Sequence, residues 1–132
     1  GRGRSAHVKV ASTNSSRRDV LFGILNAWTP SEVLAWCDPE ITVVLDADLA
    51  SLAVHRIAKF GGRSAKCSMT SEWSNLLLRL EVTSDTATMS QTCKALWALA
   101  KCPLHPGHET QFLNTIIALQ RAIERLAQDL DV

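Results

Sequence analysis

Lys94-Ala95-Leu96-Trp97-Ala98-Leu99-Ala100-Lys101 has a counterpart 42 positions earlier, Leu52-Ala53-Val54-His55-Arg56-Ile57-Ala58-Lys59. Superposed, Ala53 falls on Ala95, Val54 on Leu96, Ile57 on Leu99, Ala58 on Ala100 and Lys59 on Lys101. Both copies stop abruptly, at Phe60-Gly61-Gly62 and at Cys102-Pro103. Self-similarity at a period of roughly 20–50 residues marks a stacked-repeat architecture. Ser31-Glu32-Val33-Leu34-Ala35-Trp36 precedes the first copy and Trp73-Ser74-Asn75-Leu76-Leu77-Leu78-Arg79-Leu80 the second. Each unit therefore reads as an apolar helix, a polar connection and an Ala-Lys helix. The expected fold is all-α: stacked helical hairpins forming a short α-solenoid, with about two repeats of ~42 residues plus a terminal helix.

Working outward, Ser15-Ser16 is placed to cap a helix from about Arg18 to Trp28, with Val20, Leu21, Ile24 and Leu25 at helical spacing. Thr29-Pro30-Ser31-Glu32 restarts the chain as a capping box, with proline in the first helical position. Asp38-Pro39 ends that helix early. Ile41-Thr42-Val43-Val44-Leu45 has the β-branched density of a strand but no evident partner, and is expected to be irregular chain or a helical turn in the core. Asp46 or Asp48 caps the first Ala-Lys helix and Gly61-Gly62 closes it. Thr70-Ser71-Glu72 opens the next helix, and Thr88–Cys102 forms the second Ala-Lys helix. A final helix spans about His108 to Asp129. Its residues Phe112, Ile116, Leu119, Ile123, Leu126 and Leu130 follow a heptad seam, widened by Leu113 and Ile117.

The stretches Ala-Leu-Trp-Ala-Leu-Ala-Lys and Ala-Val-His-Arg-Ile-Ala-Lys resemble the second helices of octotricopeptide-type repeats. Those repeats belong to organellar RNA-binding proteins of algae and alveolates, related to FAST-kinase-like and RAP-domain proteins. Val20-Leu21-Phe22-Gly23-Ile24-Leu25, then Ser31-Glu32-Val33-Leu34, resembles the start of such an array, and the likeness covers about residues 20–102. It implies a helical-repeat fold that holds RNA in an organelle.

Charge divides the chain. Residues 1–18 carry Arg2, Arg4, Lys9, Arg17 and Arg18 without an acid, whereas the remainder holds nine basic and thirteen acidic groups. Residues 1–18 are thus expected to be a basic arm or a targeting remnant, and 19–132 the helical-repeat domain. No apolar run approaches the ~18 residues of a membrane span. Cys37, Cys67, Cys93 and Cys102 are too irregularly spaced for a disulfide framework and are expected to be buried thiols of a reducing compartment. Cys102, His105 and His108 are zinc-ligand types, but the prolines between them favour a stiff turn; no metal or other cofactor is expected. No nucleophile motif, phosphate loop or metalloprotease helix occurs, so no enzyme activity and no small-molecule substrate are expected.

In the two Ala-Lys helices Leu52, Arg56 and Lys59 share register with Lys94, Ala98 and Lys101. Stacked, they would form a ladder of positive charge, with Arg63 and Lys66 at its edge, suited to a phosphate backbone. Lysines at helix C-termini also complement the helix dipole, which is the alternative explanation. Trp28, Trp36, Trp73 and Trp97 are read as bulky spacers before stacking platforms, Trp97 above all because it lies inside the repeated stretch. The expected RNA-binding set is Arg56, Lys59, Arg63, Lys66, Lys94 and Lys101, with Arg2, Arg4, Arg17 and Arg18 from the arm. The expected partner-binding set is Phe112, Ile116, Leu119, Ile123 and Leu126. The role anticipated is a non-enzymatic, rRNA-associated subunit of a mitochondrial ribosome in the matrix, with the chloroplast stroma as the other compartment. The competing role is a scaffold or accessory subunit of another large organellar complex.

Overall fold

The computed structural model describes residues 11–61 and 70–130, with the side chain of residue 130 excluded. Among these residues the fold is all-α. Six α-helices follow in order: α1 (Arg17–Leu25), α2 (Pro30–Ala35), α3 (Ala47–Lys59), α4 (Thr70–Val82), α5 (Met89–Lys101) and α6 (Glu109–Leu130). A single 3-10 turn, Thr83–Asp85, separates α4 from α5. No described helix is long and apolar enough to cross a membrane.

The helix starts follow local chemistry. Ser16 accepts from Asp19 N and Asp19 returns the bond to Ser16 N, a complete capping box, as Thr88 and Gln91 form on α5. Thr29 caps α2 ahead of Pro30, but the Glu32 carboxylate reaches one residue further back, to the Trp28 N–H at 2.7 Å. That bond holds residues 26–29 out of helical geometry, so α1 stops at Leu25 rather than at Trp28. Asp46, not Asp48, caps α3. Gly61 closes α3 with φ of +98°, a conformation that an L side chain would strain. Ile41–Leu45 is neither strand nor helix: Ile41 and Leu45 are buried, Thr42 and Val44 exposed. The chain bends through Ile41, Thr42 and Val43, and the Thr42 N–H and hydroxyl both donate to the carbonyl of Thr13, at 3.1 and 2.9 Å. Ser15 is buried and Ala11 packs on the core, so helical packing reaches further back than residue 19.

Alternate helices lie side by side. α2 contacts α4 and α4 contacts α6, while α3 packs on α5; α6 also packs on α5. Side chains fix the direction: Ser74 meets Gln111 and Leu77 meets Thr115, so α4 and α6 run parallel. Asn75 donates to the carbonyl of Cys37, and Thr115 to that of Leu77, each bond bridging 38 residues. A polar side chain thus ties α4 to the end of α2, and another ties α6 to the backbone of α4. One apolar core runs through the molecule, with Ile24, Leu34, Leu49, Ile57, Leu76, Leu77, Leu99 and Leu119 fully buried. Each such side chain contributes about 1.5–3 kcal/mol by leaving water.

Candidate nucleic-acid interface

The α3–α5 pair carries the site because the two helices pack together with Lys59 of α3 and Lys94, Trp97 and Lys101 of α5 left exposed. At the repeat offset, His55 on α3 stands against Trp97 on α5, ring centroids 5.2 Å apart and planes tilted by 43°. Trp97 keeps 44% of its surface exposed. The Lys101 ammonium lies 5.5 Å from the centre of the same indole, within cation–π range. Lys59, Lys94 and Lys101 are all exposed. Burial first, then the positive charges of Lys59, Lys94 and Arg56, push the His55 imidazole below its ordinary pKa. Two rings and three ammonium groups therefore share one surface.

The sequence keeps acids away from it. No Asp or Glu occurs between Asp48 and Glu72, nor between Asp85 and Glu109. Both helices of the pair are thus acid-free beyond the first turn of α3. Below the lysines, where α3 and α5 end, Ala58, Gly61, Lys101, Cys102 and Pro103 line an open cleft of about 450 Å3. Burial raises the Cys102 thiol to about 11, which leaves it protonated at neutral pH.

Two of the arginines expected at an RNA surface are committed elsewhere. Arg56 is not on the outward face: its Nη2 donates to the carbonyl of Ala27 at 2.9 Å and its guanidinium stacks over Phe60 at 5.0 Å. The cause is register, since Ala98, the equivalent residue on α5, is fully buried. The 4–3 spacing put Arg56 in line with Lys59, yet the inward half of that face belongs to the core. Arg17 pairs with Asp46 at 3.0 Å and lies 3.4 Å from Asp48, so its charge is matched by acids. Burial raises the Asp46 carboxyl, but the Arg17 hydrogen bond, the Leu49 N–H and the Arg17 charge outweigh it and hold the pKa low. Arg18 is exposed and lies over Phe22. Arg2, Arg4, Arg63 and Lys66 lie outside the described residues.

The tryptophans separate differently from expectation. Trp36 and Trp73 are buried spacers, whereas Trp28 and Trp97 are exposed. Position 97 lies one residue from the inward-facing Ala98, and the aromatic ring at position 55 in the first copy is the signal that could have marked it. Cys37 is buried and Cys102 half-buried, but Cys93 is exposed, because it takes the outer face of α5. His105 packs edge-on against Trp73 at 5.4 Å. Among the described residues no three metal-ligating side chains come together.

The seam of α6 turns inward. Leu119 is buried, Phe112 and Ile116 pack against the core, and Ile123 and Leu126 are half-buried. The wider stripe is not covered: Leu113 and Ile117 remain exposed. No family model, curated protein or solved structure matches the chain.

Proposed function

We propose that this protein is a non-enzymatic helical-repeat protein that holds RNA on the outer face of α3 and α5. The observation that carries this is the gathering of Lys59, Lys94 and Lys101 around the His55–Trp97 pair on two helices that carry no acid beyond the first turn of α3. Cationic side chains at the ends of parallel helices offer phosphates a row of point charges, and release of condensed counterions supplies the affinity. A ribosome-like assembly in the mitochondrial matrix is the specific setting proposed, supported by the likeness of the Ala-Lys helices to organellar RNA-binding repeats and by the acid-free basic composition of residues 1–18. The test is binding of a single-stranded RNA across a salt series. Replacing Lys59, Lys94 and Lys101 by Gln should lower the slope of log affinity on log salt by about 2, at ~0.7 per lost phosphate contact. Equal slopes for wild type and variant would reject this surface.

A second proposal, a protein–protein scaffold, draws on one observation. Leu113 and Ile117 on α6 are exposed one turn apart, as are Leu78 and Val82 on α4. Replacing Leu113 and Ile117 by Asp leaves the core intact. Under this proposal the variant folds and loses its complex; under the RNA proposal it folds and keeps RNA.

A further inference from the structure

We infer that the face is built for single-stranded RNA, with Trp97 as the platform on which one base stacks and His55 as the side wall of that platform. The inference rests on the RNA-binding proposal and adds to it a selective contact with a base. Phosphates alone would need only the lysines. The surface instead exposes nearly half of a large indole amid its positive charge, with His55 against the ring and the flexible Lys101 side chain over it, and a stacking base would take the place of Lys101. A base on the indole would leave its backbone reaching toward Lys94 and Lys101, which are seven residues and two turns apart along α5 and flank Trp97. Lys59 continues the charge onto α3. Past Lys101 lies the open cleft whose described lining is Ala58, Gly61, Cys102 and Pro103 with Lys101 itself.

A duplex cannot use this arrangement, because its bases are stacked on each other and their faces are closed. Stacking on an aromatic side chain needs an unpaired base, tolerates any base identity and is worth about a tenfold or greater change in affinity on alanine substitution. An acidic peptide would satisfy the lysines but would make no use of the indole surface left exposed beside His55. The occupant is therefore a polyanion that carries aromatic rings.

The experiment compares two polyanions, a 12-nucleotide oligoadenylate and inorganic polyphosphate, on the full chain and on Trp97→Ala and Trp97→Phe. Trp97 is half exposed, so both variants should retain the wild-type circular dichroism spectrum and melting curve. The expected result is an approximately tenfold loss of oligoadenylate affinity in Trp97→Ala, a smaller loss in Trp97→Phe, and polyphosphate binding unchanged within twofold in both. Addition of oligoadenylate, and not polyphosphate, should shift the indole N–H resonance that Trp97→Phe removes from the spectrum. Oligoadenylate affinity within twofold of wild type in Trp97→Ala would overturn the stacking inference while leaving the lysine face standing. Failure of the wild-type chain to bind either polyanion at low salt would overturn the RNA-binding proposal, and the platform with it. Polyglutamate that binds as tightly as oligoadenylate, with the same sensitivity to Trp97→Ala, would assign the face to acidic peptide instead.

Discussion

Replacing Arg56 by Met separates a residue that builds the fold from residues that meet a ligand. The substitution keeps the aliphatic stem and removes the guanidinium. Two contacts go with it: the 2.9 Å bond to the carbonyl of Ala27 and the stack over Phe60 at 5.0 Å. A hydrogen bond from a charged donor contributes ~1.5–3 kcal/mol, and a partly exposed cation–π contact ~0.5–1 kcal/mol. Against these stands the Arg56 Nε, buried without a hydrogen-bond partner among the described residues, whose removal returns ~1 kcal/mol or more. The net loss is about 2 kcal/mol. For a chain of this size, each kcal/mol moves the melting temperature by roughly 4 °C, so a fall of about 8 °C is expected. Lys59→Met, three residues on and exposed, should stay within ~0.5 kcal/mol of wild type. Thermal and urea denaturation followed by circular dichroism measure both. The salt dependence of RNA binding should be unchanged in Arg56→Met once the chain is folded. If Arg56→Met melts with wild type and instead flattens the salt dependence as the lysine variants do, the inward assignment of Arg56 is refuted.

Three further outcomes follow from particular contacts. A Cβ on Gly23 would land inside the buried indole of Trp36, so Gly23→Ala should cost ~1–3 kcal/mol of overpacking despite alanine's ~1 kcal/mol helical advantage. In a Trp36→Leu background the same change should turn neutral or stabilising, a reversal of sign that a double-mutant cycle reads directly. The depressed pKa of His55, set by burial and then by Lys59, Lys94 and Arg56, means that the folded chain resists a proton the unfolded chain accepts. Its stabilising contribution is complete above the unfolded value of ~6.5 and declines as pH falls through the lower folded value. A bound polyanion favours the imidazolium, so RNA affinity should rise from pH 7.5 to 5.5 in wild type and rise less in His55→Gln. On α6, replacing Ile116 and Ile123 by Asp should unfold the chain, because Ile116 packs on the core and Ile123 is half-buried. A variant with wild-type helicity would show that the seam does not hold the helix in place.

Much of the architecture is legible in the sequence because it is written in local chemistry. Asp46 and Thr88, both N-caps, stand at the repeat offset, as do Leu45 and Ala87, which are both buried just before them. The boundaries at Thr29-Pro30 and Gly61 follow from the conformations those residues accept. What spacing alone does not give is which half of a helix face turns inward, because that depends on the neighbouring helix. Arg56 and Lys59 are on one stripe by period, yet the packing of α3 on α5 and α1 divides the stripe between core and solvent. The alanine at position 98 held that information: a small residue repeated against a large one marks where two helices approach. The same division explains why Trp97, inside an apolar stretch, projects outward, and why Cys93 is exposed.

The nearly balanced total charge bears directly on the proposed binding. Electrostatic influence in physiological salt fades over about 8 Å, so a phosphate at the α3–α5 face senses chiefly the charges nearest to it, and α3 beyond its first turn and α5 supply Lys59, Lys94 and Lys101 without an acid. The formal net charge of +1 therefore does not weaken the local field, but it leaves little long-range attraction to bring RNA in. Three phosphate contacts change affinity by only about 20-fold between 50 and 200 mM salt, at ~0.7 per contact in the logarithmic slope. Binding of that strength holds an RNA already positioned nearby better than it captures one from solution. A face with few charges and one stacking platform thus fits a subunit whose neighbours bring the RNA to it, and measured affinity for free oligonucleotide in the nanomolar range at 0.15 M salt would contradict that placement.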